Sequence, residues 1–184
     1  MDEKIVIGIC GKARAGKNEI AKYLTKYHAF KEDSFASPIR QSCIHLLGLS
    51  GLDELDRIKE QSHELLNNKT PREYMQKMGT EFGRNMICDD IWIKSLYGRN
   101  KNTKRLCVSD IRFENEMLSI KNNGGFIIRI VRPGVEIKLS NHQSESGISD
   151  EFIDYEIIND GTLLDLIPKI ESVMKKIFTI KDNL

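Results

Sequence analysis

Apolar residues in this chain follow two rhythms, short unbroken runs and longer stretches spaced three and four apart. Residues 4–10 (KIVIGIC) stay apolar after the first position, which fits a strand covered on both faces. Beyond the loop from Gly11 to Gly16, Ile20, Tyr23, Leu24 and Tyr27 recur at the spacing of a core-facing helix stripe. Residues 30–35 predict a weak strand, and 105–109, 126–131 and 154–158 predict three more. From about Pro38 to Tyr97 the pattern is mostly helical. It is interrupted near Gly48–Gly51 and at Thr70-Pro71, where threonine before proline reads as an N-cap with proline at the first helical position. A helix through Met117 and Ile120 closes at the stop signal Asn122-Asn123-Gly124-Gly125. The last helix begins near Thr162 and carries Leu163, Leu166, Ile167, Ile170, Val173, Met174 and Ile177 on one side, and Pro168 is expected to kink or restart it.

Strand alternating with helix predicts an α/β fold built on a mainly parallel sheet. No repeat, linker or low-complexity block divides the 184 residues, so one domain is expected. A composition of 40% hydrophobic and 30% charged residues excludes a mostly disordered chain. Lys and Arg total 28 against 27 Asp and Glu, and the net charge of +1 removes any whole-molecule attraction to nucleic acid or anionic membrane. The small basic cluster Arg99, Lys101, Lys104 and Arg105 reads as a solvated loop. No apolar run approaches the ~18 residues of a membrane helix, and the acidic opening Met1-Asp2-Glu3-Lys4 is unlike a secretory signal. Cys10, Cys43, Cys88 and Cys107 are far apart with no CxxC pair, so reduced, buried thiols in a cytoplasmic protein are expected.

The strongest chemical signal is Gly11-Lys12-Ala13-Arg14-Ala15-Gly16-Lys17-Asn18. It has the glycine spacing and lysine of the phosphate-binding loop, set between a buried strand and an amphipathic helix. Glycines let successive backbone N–H groups converge on phosphate oxygens, and the helix N-terminus adds partial positive charge. Lys17 then reaches the β- and γ-phosphates as a mobile point charge. Asn18 stands where a serine or threonine hydroxyl usually meets magnesium. Its amide oxygen can bind the ion or a shell water.

Three further segments carry candidate chemistry. In Asp110-Ile111-Arg112-Phe113-Glu114-Asn115-Glu116, the acid ends an apolar strand, the place of a magnesium-holding carboxylate in phosphate-loop proteins, or else it caps a helix. Arg112 and Glu116 are four apart and, in a helix, would share a face and pair. In the segment Pro71 to Arg84, helical spacing lines up Arg72, Gln76, Gly79 with Thr80, and Gly83 with Arg84, either a ligand-facing surface or a solvated one. His142-Gln143-Ser144-Glu145 follows Arg129 and Arg132 and reads as a mobile lid over a nucleotide or as a surface loop. A hydrolase is rejected because no G-x-S-x-G elbow is present.

Taken in order, GKARAGKN, SFASPIRQ, TPREYMQKMGTEFGR with DIW, SDIRFENE, GGFIIRIVRP, HQSE and IINDGTLLDL resemble the deoxynucleoside monophosphate kinases of bacteriophages, adenylate-kinase-like P-loop kinases. The resemblance runs from residue 8 to about 166. It implies a five-stranded parallel sheet sandwiched by helices, a helical acceptor-binding region over about 38–100 and a lid over about 133–150. It implies ATP binding by Gly11, Lys12, Ala13, Arg14, Ala15, Gly16, Lys17, Asn18 and Glu19, and by the adenine-side loop of Asn159, Gly161 and Thr162. It implies an acceptor site of Arg40, Arg72, Gln76, Gly79, Thr80 and Trp92, and an active centre of Lys17, Asp110, Arg112 and Glu116. Lid residues would be Arg129, Arg132, His142, Ser144 and Glu145, and magnesium would be held by Asp110 with Asn18. Substrates would be ATP and a deoxynucleoside monophosphate, with no nucleic-acid or membrane partner, in the cytoplasm (the host's, if the protein is viral). Homodimer formation stays open. Two alternatives remain: another small-molecule P-loop kinase such as dephospho-CoA kinase, and a weakly catalytic nucleotide-binding regulator, which Asn18 allows.

Overall fold

The computed structural model describes residues 4–134 and 150–183; the expected lid residues His142, Ser144 and Glu145 lie outside them. The described residues form two compact units, one from residues up to Ser34 together with those from Asn100 onward, the other Phe35–Arg99.

The first unit is built around β1 (Ile5–Cys10), whose six residues are all buried. That burial follows from its place in the middle of a five-stranded sheet. With β2 (Lys31–Asp33), β3 (Arg105–Val108), β4 (Phe126–Val131) and β5 (Tyr155–Ile158), the order is β2-β3-β1-β4-β5, and every pair is parallel. Each strand falls inside its predicted window. Helix α1 (Lys17–His28) and helix α7 (Leu163–Asp182) cover one face, where Ile7, Ile9, Ile20, Leu24, Ile128, Ile170 and Met174 share one core. Helix α6 (Glu114–Asn122) covers the other. The helix and the segment before it sit so close that a side chain at Gly8 would come within 2.6 Å of Ile120 Cδ1 and 2.4 Å of Ile111 Cδ1.

Helix α7 runs unbroken through Pro168, against the expectation that proline would interrupt it. The carbonyl left without its helical donor is that of Leu164, a residue 79% exposed in the first turn, so water can satisfy it. Among the described residues, no helix is long and apolar enough to cross a membrane.

The second unit is helical. It contains α2 (Ser37–Leu47), α3 (Leu52–Ile58), a 3-10 turn at Glu64–Leu66, α4 (Pro71–Gln76) and α5 (Ile91–Arg99). Cys43, Ile44 and Leu55 form its small core, with Tyr74 and Met75 packed against them. The Thr70-Pro71 start is a full capping box, since Glu73 N–H donates to Thr70 Oγ1 at 3.1 Å and Thr70 N–H to Glu73 Oε2 at 2.7 Å.

Past Gln76 the helix widens into a π-helix, Lys77–Ile87, and the expected α-helical face does not continue. The indole N–H of Trp92 donates to the Gly79 carbonyl at 2.7 Å, and its ring lies on Gly83, where a Cβ would stand 2.4 Å from Cζ2. An inserted side chain that takes a ladder carbonyl is a known cause of such widening. Thr80, Gly83 and Arg84 consequently turn inward, and Arg84 is 6% exposed with Nη1 donating to Asp89 O at 2.9 Å. Arg84 is therefore an internal brace and no part of a solvated stripe.

Candidate active site

At the end of β1 the chain turns through three left-handed positions, Gly11 (φ 140°), Arg14 (φ 62°) and Gly16 (φ 112°), before α1 begins at Lys17. Gly11 has no room for a side chain, because a Cβ would lie 2.3 Å from the Ile130 carbonyl oxygen. The Lys17 ammonium folds back over this loop and donates to Gly11 O at 2.7 Å and Lys12 O at 2.9 Å. Burial pushes its pKa down and neighbouring Arg112 adds to the effect, while Cys10 and Asp110 oppose it. Lys17, Arg112 and Asp110 thus share one electrostatic neighbourhood, drawn from α1 and from the segment after β3. Beneath the loop, the Cys10 thiol is pushed up to about 11 by burial, against the pull of Arg129 and Lys17, so it is neutral at physiological pH.

Arg112 precedes α6 and does not share a helical face with Glu116, contrary to expectation. The Glu116 carboxylate, on a residue 3% exposed, accepts from the backbone N–H groups of Arg112 at 2.8 Å and Phe113 at 3.1 Å. It fixes the main chain that carries Asp110 and Arg112. A carboxylate at a helix start, taking N–H groups that have no helical partner, is favoured both by the hydrogen bonds and by the helix dipole.

The loop after β5, the expected adenine side, is packed against the Gly11–Gly16 loop. Asn159 is 8% exposed; its side-chain Nδ2 donates to Ala15 O at 2.8 Å, and its backbone N–H to Val131 O at 2.7 Å. Thr162 caps α7 by donating from N and Oγ1 to Asp165 Oδ2 at 2.8 and 2.7 Å. Gly161 lies against the same carboxylate, where a Cβ would be 2.6 Å from Oδ2. The polar side chains of Asn159 and Thr162 are therefore engaged with protein. Of the expected lid cations, Arg129 on β4 pairs with Glu156 at 2.7 Å and with Asp150, and Arg132 is exposed after β4.

In the helical unit, Arg40 of α2 pairs with Asp56 of α3 at 3.0 Å, and Lys59 holds the other oxygen of that carboxylate at 3.0 Å. Arg72 of α4 meets Glu60 through Nε at 2.7 Å, and its backbone N–H donates to Lys59 O at 3.0 Å. The Arg72 guanidinium holds Glu60 below the usual carboxylate range. Burial pushes Asp56 up, but Lys59 and Arg40 outweigh it and leave the pKa lowered. Asp56 and Glu60 escaped the sequence reading. Their arginine partners lie 16 and 12 residues away, beyond any helical spacing that marks a pair. Gln76 and Gly79 are half-buried on the same stretch as Trp92's contact, while Thr80 is buried.

Asp110, two residues past β3, and Asn18 in the first turn of α1 offer one carboxylate and one amide oxygen. Both are hard oxygen donors and fit magnesium, which takes few protein ligands and fills its shell with water and phosphate oxygens.

A glycine-turned loop at the tip of the central parallel strand, closed by a lysine at the following helix start, defines a P-loop nucleotide-binding protein. Residues 47–170 match the profile of the family described as deoxynucleotide monophosphate kinase. A protein of Acanthamoeba polyphaga mimivirus, provisionally named for the same activity, is 30% identical over 188 residues, covering 91% of this chain and 95% of that one. The chain belongs to the deoxynucleotide monophosphate kinase family. The deoxynucleotide monophosphate kinase of Escherichia phage RB69 is 29% identical over 136 residues, and that of Enterobacteria phage T4 is 31% identical over 109 residues. The chain spans about half the length of these two phage relatives, 55% and 45%. Among solved structures, a Chloroflexus aurantiacus protein provisionally titled a kinase superposes with a TM-score of 0.51 at 13% identity, covering 97% of this chain and 98% of that one, which supports the fold. Dephospho-CoA kinase from Campylobacter jejuni reaches a TM-score of 0.49 at 19% identity, covering 94% and 96%, too distant to bear on substrate.

The placement of Glu116 is testable. Replacing it with Ala leaves two backbone donors without their carboxylate, an expected loss of about 1–3 kcal/mol of stability. Turnover should fall with it, while Glu116→Gln, which keeps one acceptor oxygen, should lose less. A denaturation midpoint that stays the same in Glu116→Ala would contradict the bracing role.

Proposed function

We propose that the protein transfers the γ-phosphoryl group of ATP to the phosphate of a deoxynucleoside 5′-monophosphate, giving the diphosphate and ADP. The observation that carries this reading is the Lys17 ammonium drawn over a glycine-turned loop at the end of the central strand, in a chain of this family. An oxygen of the acceptor phosphate attacks the γ-phosphorus, the bond to the β–γ bridging oxygen breaks, and ADP leaves with that oxygen's electron pair. The acceptor needs no strong base, since its second pKa is about 6 and it is already largely ionised at neutral pH.

The protein's part is alignment and charge stabilisation. Backbone N–H groups of residues 11–17 cradle the β- and γ-phosphates, and Lys17 with Arg112 follows the charge that builds on the transferring group. Asp110 and Asn18 would hold magnesium, which would neutralise charge on the ATP phosphates. Asp110 serves that role rather than proton transfer. Glu116 acts through the backbone of Arg112. Arg40 and Arg72 receive the acceptor phosphate, with Gln76, Gly79, Thr80 and Trp92 shaping the space around the rest of the nucleotide. Both substrates are water-soluble nucleotides, which supports a cytoplasmic setting, the host's if the protein is viral.

Two variants separate donor from acceptor. Lys17→Ala should lower kcat by orders of magnitude without unfolding the protein. Arg72→Ala should raise KM for the monophosphate, with a loss of about 10²-fold in kcat/KM. If Arg72→Ala moves only KM for ATP, Arg72 belongs to the donor side.

Magnesium dependence tests the metal assignment. An amide contributes one neutral oxygen to a hard cation that prefers charged ones. In a magnesium titration of turnover at fixed ATP, Asn18→Ala should be mild and Asp110→Asn severe, and Asn18→Asp should lower the magnesium needed for half-maximal rate. Activity that survives Asp110→Asn but not Asn18→Ala would invert the assignment.

A further inference from the structure

Asn159 lies in the loop between β5 and α7, yet its side chain does not face outward. It is buried, and Nδ2 donates to the carbonyl of Ala15, 144 residues earlier in the chain, at 2.8 Å. The acceptor fixes the sense of the bond, because a carbonyl can only be met by the NH2 end of the amide. Ala15 is itself 1% exposed, and its own N–H donates to Lys12 O at 3.3 Å. The next residue, Gly16, has φ 112° and is pressed against the same amide; a Cβ there would stand 2.7 Å from Asn159 Nδ2 and 3.1 Å from Ile130 Cδ1. The backbone of Asn159 is anchored in turn, by its N–H on Val131 O at 2.7 Å.

These contacts have a directional consequence. In a planar trans peptide the C=O and the following N–H point opposite ways. Holding the Ala15 carbonyl toward Asn159 therefore aims the Gly16 N–H away from Asn159. An unheld peptide at a glycine with positive φ is free to flip, since glycine has little steric preference. We propose that Asn159 is a positioning residue for the donor site: its amide clamps the Ala15–Gly16 peptide so that the Gly16 N–H faces the ATP phosphates, and it touches no part of the nucleotide itself. This rests on the ATP-binding reading of the loop. One hydrogen bond then ties the loop on the adenine side to the loop that takes the phosphates, and the two are set together before ATP arrives.

The clamp depends on donation, not on shape, and this makes it separable from simple packing. Asn159→Asp keeps the volume but replaces the donor with an oxygen that repels the Ala15 carbonyl. Asn159→Ala removes the side chain. Two readouts are needed: amide hydrogen exchange over residues 11–18 without nucleotide, and binding of a non-hydrolysable ATP analogue by calorimetry, with KM for ATP and for the monophosphate measured alongside. Both variants should exchange faster in the loop and bind the analogue about 5- to 20-fold more weakly. Asn159→Asp should be at least as impaired as Asn159→Ala, and the monophosphate KM should move less than the ATP KM. Near-native loop protection and analogue affinity in Asn159→Asp would mean that shape alone matters, and would overturn the proposal. So would a faster-exchanging loop whose analogue affinity and ATP KM are unchanged. A wild-type protein that binds no ATP analogue at all would instead overturn the reading of the loop as an ATP site, and the positioning role with it.

Discussion

Burial of β1 on both faces leaves the chain one outlet, the end of the strand, and the shape of the Gly11–Gly16 loop follows from how the backbone leaves it. Ile130 on the neighbouring strand stands so near that only glycine fits at position 11. The turn that results passes through left-handed conformations at Gly11, Arg14 and Gly16 and delivers Lys17 as the first residue of α1. A helix start exposes N–H groups without partners, and the lysine folds back across the loop's own carbonyls. An anion site is thus a by-product of closing a doubly covered parallel sheet, with two glycines and one lysine placed where the geometry demands them.

The interactions around that turn differ in strength according to their exposure. Glu116 and Asn159 are 3% and 8% exposed, and each makes hydrogen bonds to backbone groups whose loss would leave them stranded from water. They act as fixed struts. The ion pairs of the helical unit are different, because Arg40, Asp56, Arg72 and Glu60 are 30%, 46%, 38% and 60% exposed along their side chains. Pairs so open to solvent contribute about 0–1 kcal/mol. Arginines held this loosely can be reoriented by a phosphate at little cost, as the proposed acceptor role requires.

What was legible in the sequence was local. The five strands, the phosphate loop, the Thr70-Pro71 cap and the glycine stop after α6 all depend on residues within a few positions of one another, and all stand where the pattern placed them. What was missed depends on partners far along the chain. The π-helix over Lys77–Ile87 accompanies an indole thirteen residues beyond Gly79, the unbroken passage through Pro168 depends on which carbonyl faces water, and the pairs of Arg40 and Arg72 with Asp56 and Glu60 join separate elements. Arg112 was placed one turn too deep, because Asp-x-Arg-x-x-x-Glu reads equally well as a helix and as the approach to one. The polar loop that carries Asn159 was legible, but the Ala15 carbonyl that its amide meets lies at the opposite end of the sequence.

The central claim is that this fold runs phosphoryl transfer from ATP to a deoxynucleoside monophosphate. Its most direct test is a coupled assay of ADP release with each of the four deoxynucleoside monophosphates, with dephospho-CoA and with no acceptor. ADP release that depends on at least one deoxynucleoside monophosphate, with the corresponding diphosphate formed in equal amount and none of this with dephospho-CoA, is the expected result. ADP release only with dephospho-CoA, or ATP binding without release under any of these conditions, would contradict it.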